Sequence, residues 1–114
     1  IIQIEGNDKL LHSYYRYASL FVYPTLYEGF GLPILESFLY DCPVACSETS
    51  SLPEVAGSGA MYFDPKNIDN ITDVLSKILY SNSKKEELLK KARIQLNKFS
   101  WKDCANKTLN FYKT

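Results

Sequence analysis

Three short apolar runs, each closed by a turn-forming residue and separated by helical patterns, constrain this chain more than any other feature. Ser19–Tyr23 reads SLFVY and is stopped by Pro24, Pro43–Cys46 reads PVAC, and Ala60–Phe63 reads AMYF before Asp64-Pro65. A run apolar on both faces, with no polar alternation, suits a parallel strand covered on both sides. Strands that alternate with helices imply a parallel α/β sheet, because parallel neighbours need a crossover between them. Ile1–Glu5 (IIQIE), closed by Gly6, reads as a further strand from its β-branched residues. Asp8 is then expected to cap a helix to about Tyr17, with Leu11, Tyr14, Tyr15 and Ala18 on its inner face.

Pro33 sits where the first helical turn tolerates proline, so a helix is expected from there to about Tyr40, apolar around most of its surface. Leu52–Ala56 allows one helical turn. Three amphipathic helices follow. Asn67 caps the first, whose inner stripe is Ile71, Val74, Leu75, Ile78 and Leu79. Ser83 with Glu86 is a capping box for the second, with Leu88, Leu89, Ala92, Leu96 and Phe99 facing inward. Ser100 with Asp103 opens the third, which carries Trp101, Ala105, Leu109 and Tyr112.

At 114 residues, 46% hydrophobic and 23% charged, the chain is one modest folding domain with no repeat and no linker long enough to divide it. Its formal net charge is zero, which argues against nucleic acid as a partner. No apolar run approaches the roughly 20 residues of a membrane span, and IIQIEGNDK lacks a signal-peptide pattern. Three cysteines (Cys42, Cys46 and Cys104) do not make a disulfide framework, so a reduced, cytoplasmic setting is expected. Cys42 and Cys46 lack further ligands for a metal, and none is expected. The charge is uneven. Residues 1–83 carry four basic side chains against ten acidic, and residues 84–114 carry nine against three. The basic end could meet an anionic membrane surface or an acidic neighbouring domain, or its lysines could be solvated helix faces.

The segment that carries chemistry runs Pro24-Thr25-Leu26-Tyr27-Glu28-Gly29-Phe30-Gly31-Leu32-Pro33-Ile34-Leu35-Glu36. It is a loop after a buried strand, with two glycines and then a helix N-terminus. Glycines let backbone approach a ligand closely, and unpaired first-turn amides with the helix dipole attract anions such as a diphosphate. In an open α/β sheet the loop lies at the carboxyl ends of the strands, where such folds bind ligands. Glu28 and Glu36 could face the same crevice and accept paired hydroxyls, which suits a sugar diphosphate. The same residues also fit a tight turn in which Glu28 caps amides and Glu36 is solvated. His12 reads as a structural or solvated residue. Tyr14, Tyr15, Tyr17, Phe21 and Tyr23 read as core and helix–sheet packing.

Glu28-Gly29-Phe30-Gly31-Leu32-Pro33 with Glu36 resembles the Glu-x7-Glu motif of the retaining GT-B glycosyltransferases called glycosyl transferase group 1. Other landmarks follow in order: Leu11, Tyr15, Arg16 and Ala18; Phe21-Val22-Tyr23-Pro24-Thr25; Pro43-Val44-Ala45; Leu52-Pro53-Glu54-Val55; Phe63-Asp64-Pro65; and Phe99-Ser100-Trp101. The resemblance implies that Glu28 lies against the transferred sugar as the catalytic carboxylate. It implies that Gly29, Phe30, Gly31 and Leu32 bind the donor, with the amides of Phe30, Gly31 and Leu32 on the sugar hydroxyls and diphosphate. Glu36 would accept the two ribose hydroxyls. Thr25 stands where Ser is common, keeps the hydroxyl, and counts with Gly29, Phe30, Gly31, Leu32 and Glu36 among the donor-binding residues. Asp41-Cys42 stands where a Gly commonly ends the helix, so Asp41 or a neighbour is expected at positive φ.

The implied fold is part of a Rossmann-like GT-B C-terminal domain, its later two-thirds with the C-terminal helices, spanning residues 1–114 as a short parallel sheet with flanking helices. The implied partners are a nucleotide-diphosphate sugar donor and a glycan or lipid-linked acceptor held by an N-terminal domain. No cofactor or metal is implied. The parent would work in the cytoplasm, with peripheral association at the inner face of the cell membrane as a possibility. The 114-residue piece alone is expected to be inactive, and to associate with itself through an exposed sheet edge. Two other readings stand beside this one: a non-catalytic module that binds nucleotide sugars or a partner, and a nucleotide-sugar epimerase, for which the motif spacing is a poorer match.

Overall fold

Each apolar run becomes a strand because the segment after it can cross back over the sheet. In the computed structural model, which describes residues 1–114, the strands are β1 (Phe21–Tyr23), β2 (Val44–Ser47) and β3 (Ala60–Phe63). They form one parallel sheet in the order β1-β2-β3, with Phe21 opposite Val44 and Val44 opposite Ala60. Helix α2 (Leu32–Leu39) connects β1 to β2, and the short α3 (Leu52–Ala56) with a tight turn at Gly57–Gly59 connects β2 to β3. Helix α1 (Asp8–Tyr17) precedes the sheet, and α4 (Ile68–Leu79), α5 (Asn82–Leu96) and α6 (Trp101–Lys113) follow it. This is the expected α/β architecture of a short parallel sheet with flanking helices.

β2 is buried along its whole length. Its alternate side chains serve two cores, as period-two geometry requires. Val44 and Cys46 join Ile34, Leu35, Phe38, Leu52, Val55, Ala56, Ala60 and Ala92 on one face. Ala45 joins Phe63, Val74, Ile78 and Leu88 on the other. A buried polar clamp fixes α5 to α3. Gln95 donates through Nε2 to the carbonyls of Val55 (2.9 Å) and Glu54 (3.2 Å). Its amide group lies where a side chain on Gly57 would fall, and Gly57 is at φ +54°. Gln95 was not among the expected inward residues. Asp41 does take positive φ, at +53°, and Arg93 Nε donates to its carboxylate at 2.9 Å across the exposed surface.

Several expectations are corrected. Ile1–Glu5 forms no strand and is exposed throughout. β-Branched residues favour a strand only when a neighbouring strand pairs with them, and none does. Helix α1 is capped by Asn7, whose side chain accepts from the Leu10 amide at 3.1 Å, with Asp8 in the first turn instead. Only Tyr15 of its expected inner face is buried; Leu11, Tyr14 and Ala18 are exposed, as is Tyr17. Helix α5 begins two residues early, because Ser81 is already extended and accepts from the Lys84 amide at 3.2 Å. Ser83 then lies inside the helix, so there is no Ser83–Glu86 box. Leu79 of α4 is exposed. Ser100 does cap α6, accepting from Asp103 at 3.2 Å, yet no residue of α6 is buried.

β1 pairs on one side only, with β2. An unpaired strand edge is a template for another chain. The 114-residue chain alone is therefore expected to self-associate at roughly tens of micromolar. Sedimentation equilibrium should give a mass above the 13.1 kDa monomer. A clean monomer would mean that β1 is protected in solution.

Candidate functional site

The loop from Pro24 leaves the carboxyl end of β1 and enters α2 through Gly31. Gly31 adopts the left-handed conformation, φ +102° and ψ 42°, at the position just before the helix. A Cβ there would stand 2.6 Å from Leu52 Cδ2, so the turn tolerates no side chain. Gly29 is different: a Cβ on it would meet nothing within 4 Å. The fold itself therefore demands Gly31, while the space beside Gly29 is open.

Four consecutive amides, those of Gly29, Phe30, Gly31 and Leu32, donate no hydrogen bond within the chain. Pro33 has no N–H, and the Ile34 amide turns back to the Gly31 carbonyl at 3.0 Å. The unpartnered amides thus lie in the turn entering α2 and on its first residue, Leu32, and include the three expected at Phe30, Gly31 and Leu32. They are at the positive end of the α2 dipole.

Both carboxylates flank this turn and both are held. The Tyr23 hydroxyl donates to Glu28 Oε1 at 2.7 Å, and Thr25 Oγ1 approaches the same oxygen at 3.4 Å. The Thr25 proton has a nearer acceptor in the Tyr27 carbonyl at 3.0 Å. The Glu28 backbone is fixed too. Its amide donates to Ser50 Oγ at 3.1 Å, and Ser51 Oγ donates toward the carbonyls of Phe30 (2.8 Å) and Glu28 (3.3 Å). On the other side, the hydroxyl of buried Tyr15 donates to Glu36 Oε2 at 3.2 Å. Neither carboxylate is simply solvated, nor does Glu28 cap the turn amides.

One aromatic row connects the two donors. Tyr15 meets Phe21 edge-on at 5.3 Å, and Phe21 stacks on Tyr23 at 5.6 Å. Burial pushes the Tyr23 hydroxyl up to about 12, helped by its bond to Glu28. Burial and then the Glu36 charge raise Tyr15 well above the usual tyrosine range. Both hydroxyls keep their protons, so both remain donors. The Phe30 ring turns away from this row and packs edge-on against Phe99 at 5.8 Å, which ties the loop to the end of α5.

Tyr15, Tyr23, Ser50 and Ser51 were not read from the sequence as site residues. Tyr23 could have been, since it alternates with Phe21 on one face of β1, two residues from the loop. The serines carry no such signal, because only the parallel pairing of β1 with β2 brings residues 50 and 51 against residues 28–30. His12 stacks on Tyr40 at 4.8 Å, away from the motif. Cys42 and Cys46 are buried and free, and burial pushes their thiols up to about 11 and about 12. No helix is long and apolar enough to cross a membrane.

The family described as Glycosyl transferases group 1 matches residues 2–95. O-antigen chain mannosyltransferase B of Escherichia coli is 42% identical over 106 residues, covering 93% of this chain and 28% of that protein. MMP alpha-(1->4)-mannosyltransferase of Mycolicibacterium hassiacum is 32% identical over 111 residues, covering 94% of this chain and 27% of that protein. Among solved structures, sucrose-phosphate synthase from Thermosynechococcus elongatus superposes with a TM-score of 0.81 at 24% identity, over 92% of this chain and 27% of that one. The chain thus spans less than a third of the length of each of these proteins.

Proposed function

The chain belongs to the glycosyl transferases group 1 family, and we propose that it forms the donor-binding part of an enzyme that transfers a sugar, with retention, from a nucleotide-diphosphate donor to a glycan or lipid-linked acceptor. One observation carries the reading. Four unpartnered amides at the positive end of α2 lie between two carboxylates that the surrounding side chains hold in place. Amides suit the diphosphate, whose negative charge grows as the glycosidic bond breaks, and fixed donors stabilise that charge without reorganising. Carboxylates suit hydroxyls: Glu28 those of the transferred sugar, Glu36 those of the ribose.

In this reading Gly29, Phe30, Gly31 and Leu32 bind the donor through backbone, Thr25 adds its hydroxyl to the donor-binding set, and the acceptor lies against an N-terminal domain. Residues 1–114 are the later part of the GT-B C-terminal domain and are inactive alone. The names of the relatives favour mannose as the transferred sugar and O-antigen synthesis as the setting.

Replacing Glu36 by alanine in the intact enzyme tests the nucleotide half of the site. Donor KM should rise roughly 10- to 100-fold with kcat changed far less, as expected on losing charge-assisted hydrogen bonds made equally in ground and transition states. Initial rates against donor concentration give both constants. An unchanged donor KM would remove Glu36 from the nucleotide.

A further inference from the structure

We infer that Tyr15 and Tyr23 are positioning residues, each holding one oxygen of a site carboxylate so that its other oxygen is aimed at the donor. The inference rests on the donor-site reading above and deepens it. Glu28 is held through Oε1 and Glu36 through Oε2. Glu28 Oε2 and Glu36 Oε1 make no hydrogen bond within the chain. A carboxylate on a flexible stem samples many rotamers, and holding one oxygen narrows the directions in which the second can point. Both tyrosines are themselves fixed through Phe21, which touches the ring of each. The two carboxylates, which come from a loop and from a helix, are thus referred to one strand residue at the sheet edge.

Glu28 and Glu36 are both only half-buried, so water could take the place of either tyrosine hydroxyl as donor to the carboxylate. A purely structural role therefore predicts little from removing the oxygen. A positioning role predicts different losses at the two ends of the donor.

The test uses the intact enzyme and whichever of GDP-mannose, UDP-glucose and UDP-galactose it turns over fastest. Tyr15→Phe should raise donor KM about 10-fold with kcat within about twofold, and Tyr23→Phe should lower kcat about 10-fold with KM within about twofold. Thermal midpoints should stay near that of the unaltered protein. Adding Tyr15→Phe to Glu36→Gln, or Tyr23→Phe to Glu28→Gln, should cost nothing beyond the single Gln variant if the tyrosine acts only through its carboxylate. Unchanged kinetics for both Phe variants would overturn the inference. So would equal losses in kcat and KM with a lowered midpoint, which would mark a packing role. The Gln variants separate the two levels. If they too behave as the unaltered enzyme, the donor-site reading fails. If they are impaired and the Phe variants are not, only the positioning role fails.

Discussion

Glu28→Ala in the intact enzyme is expected to lower kcat about 100-fold while donor KM changes by only a few-fold, the loss typical of one preorganised polar group that acts in the transition state. Glu28, the single acidic residue of the loop, is anchored at three points, with its carboxylate on Tyr23, its amide on Ser50 and its carbonyl near Ser51. Anchoring of that kind matters for a group that must meet a charge developing on the sugar, because a free carboxylate would first have to be ordered. Alanine would also leave the Tyr23 hydroxyl without its acceptor, which disturbs the β1 end of the site but not the turn amides. Donor binding should therefore survive. Glu28→Gln keeps an oxygen for Tyr23 and removes only the charge, so its kcat separates orientation from electrostatics. Turnover near that of the unaltered enzyme in both variants would remove Glu28 from the chemistry.

The elements that were legible in the sequence are those whose signal is local. Ala60–Phe63 is a strand with the expected bounds, and Asn67 and Ser100 cap the expected helices, because an apolar run or a capping side chain specifies its own surroundings. Failures came where the outcome depends on a neighbour. Ile1–Glu5 has strand propensity with nothing to pair with. Helix α6, by contrast, forms where expected, and its apolar residues Trp101, Leu109, Phe111 and Tyr112 stay exposed, as a stripe with nothing to cover it must. The choice between Ser81 and Ser83 turned on how tightly α4 ends at Tyr80, which spacing alone does not show. The site divides in the same way. The loop, its glycines and its two glutamates are contiguous and could be read. The tyrosines and serines that hold them come from α1, β1 and the loop after β2, and only the folded sheet assembles them.

The largest stability effect should come from the helix that carries the site. Phe38 is fully buried in the core between α2, β2, α3 and α5. Phe38→Ala should cost about 3–5 kcal/mol, the range for emptying an aromatic from a packed interior. That is a large part of the 5–15 kcal/mol a domain has in total, so the variant should unfold at much lower denaturant. Relaxation is limited because the far end of the ring is boxed in. A Cβ on Gly59 would stand 2.9 Å from Phe38 Cζ and 2.8 Å from the Ala92 backbone. Gly59→Ala should thus destabilise by overpacking. Combining it with Phe38→Leu should recover only part of the loss, because the Ala92 backbone cannot move aside as a ring can. Leu39, the next residue of α2, points to solvent, and Leu39→Ala should change stability by less than about 1 kcal/mol. Urea unfolding of the four variants in the intact enzyme would read these values. Equal losses at positions 38 and 39 would show that α2 is not seated by Phe38, and with it the seating of the Gly31 turn and Glu36 would need another cause.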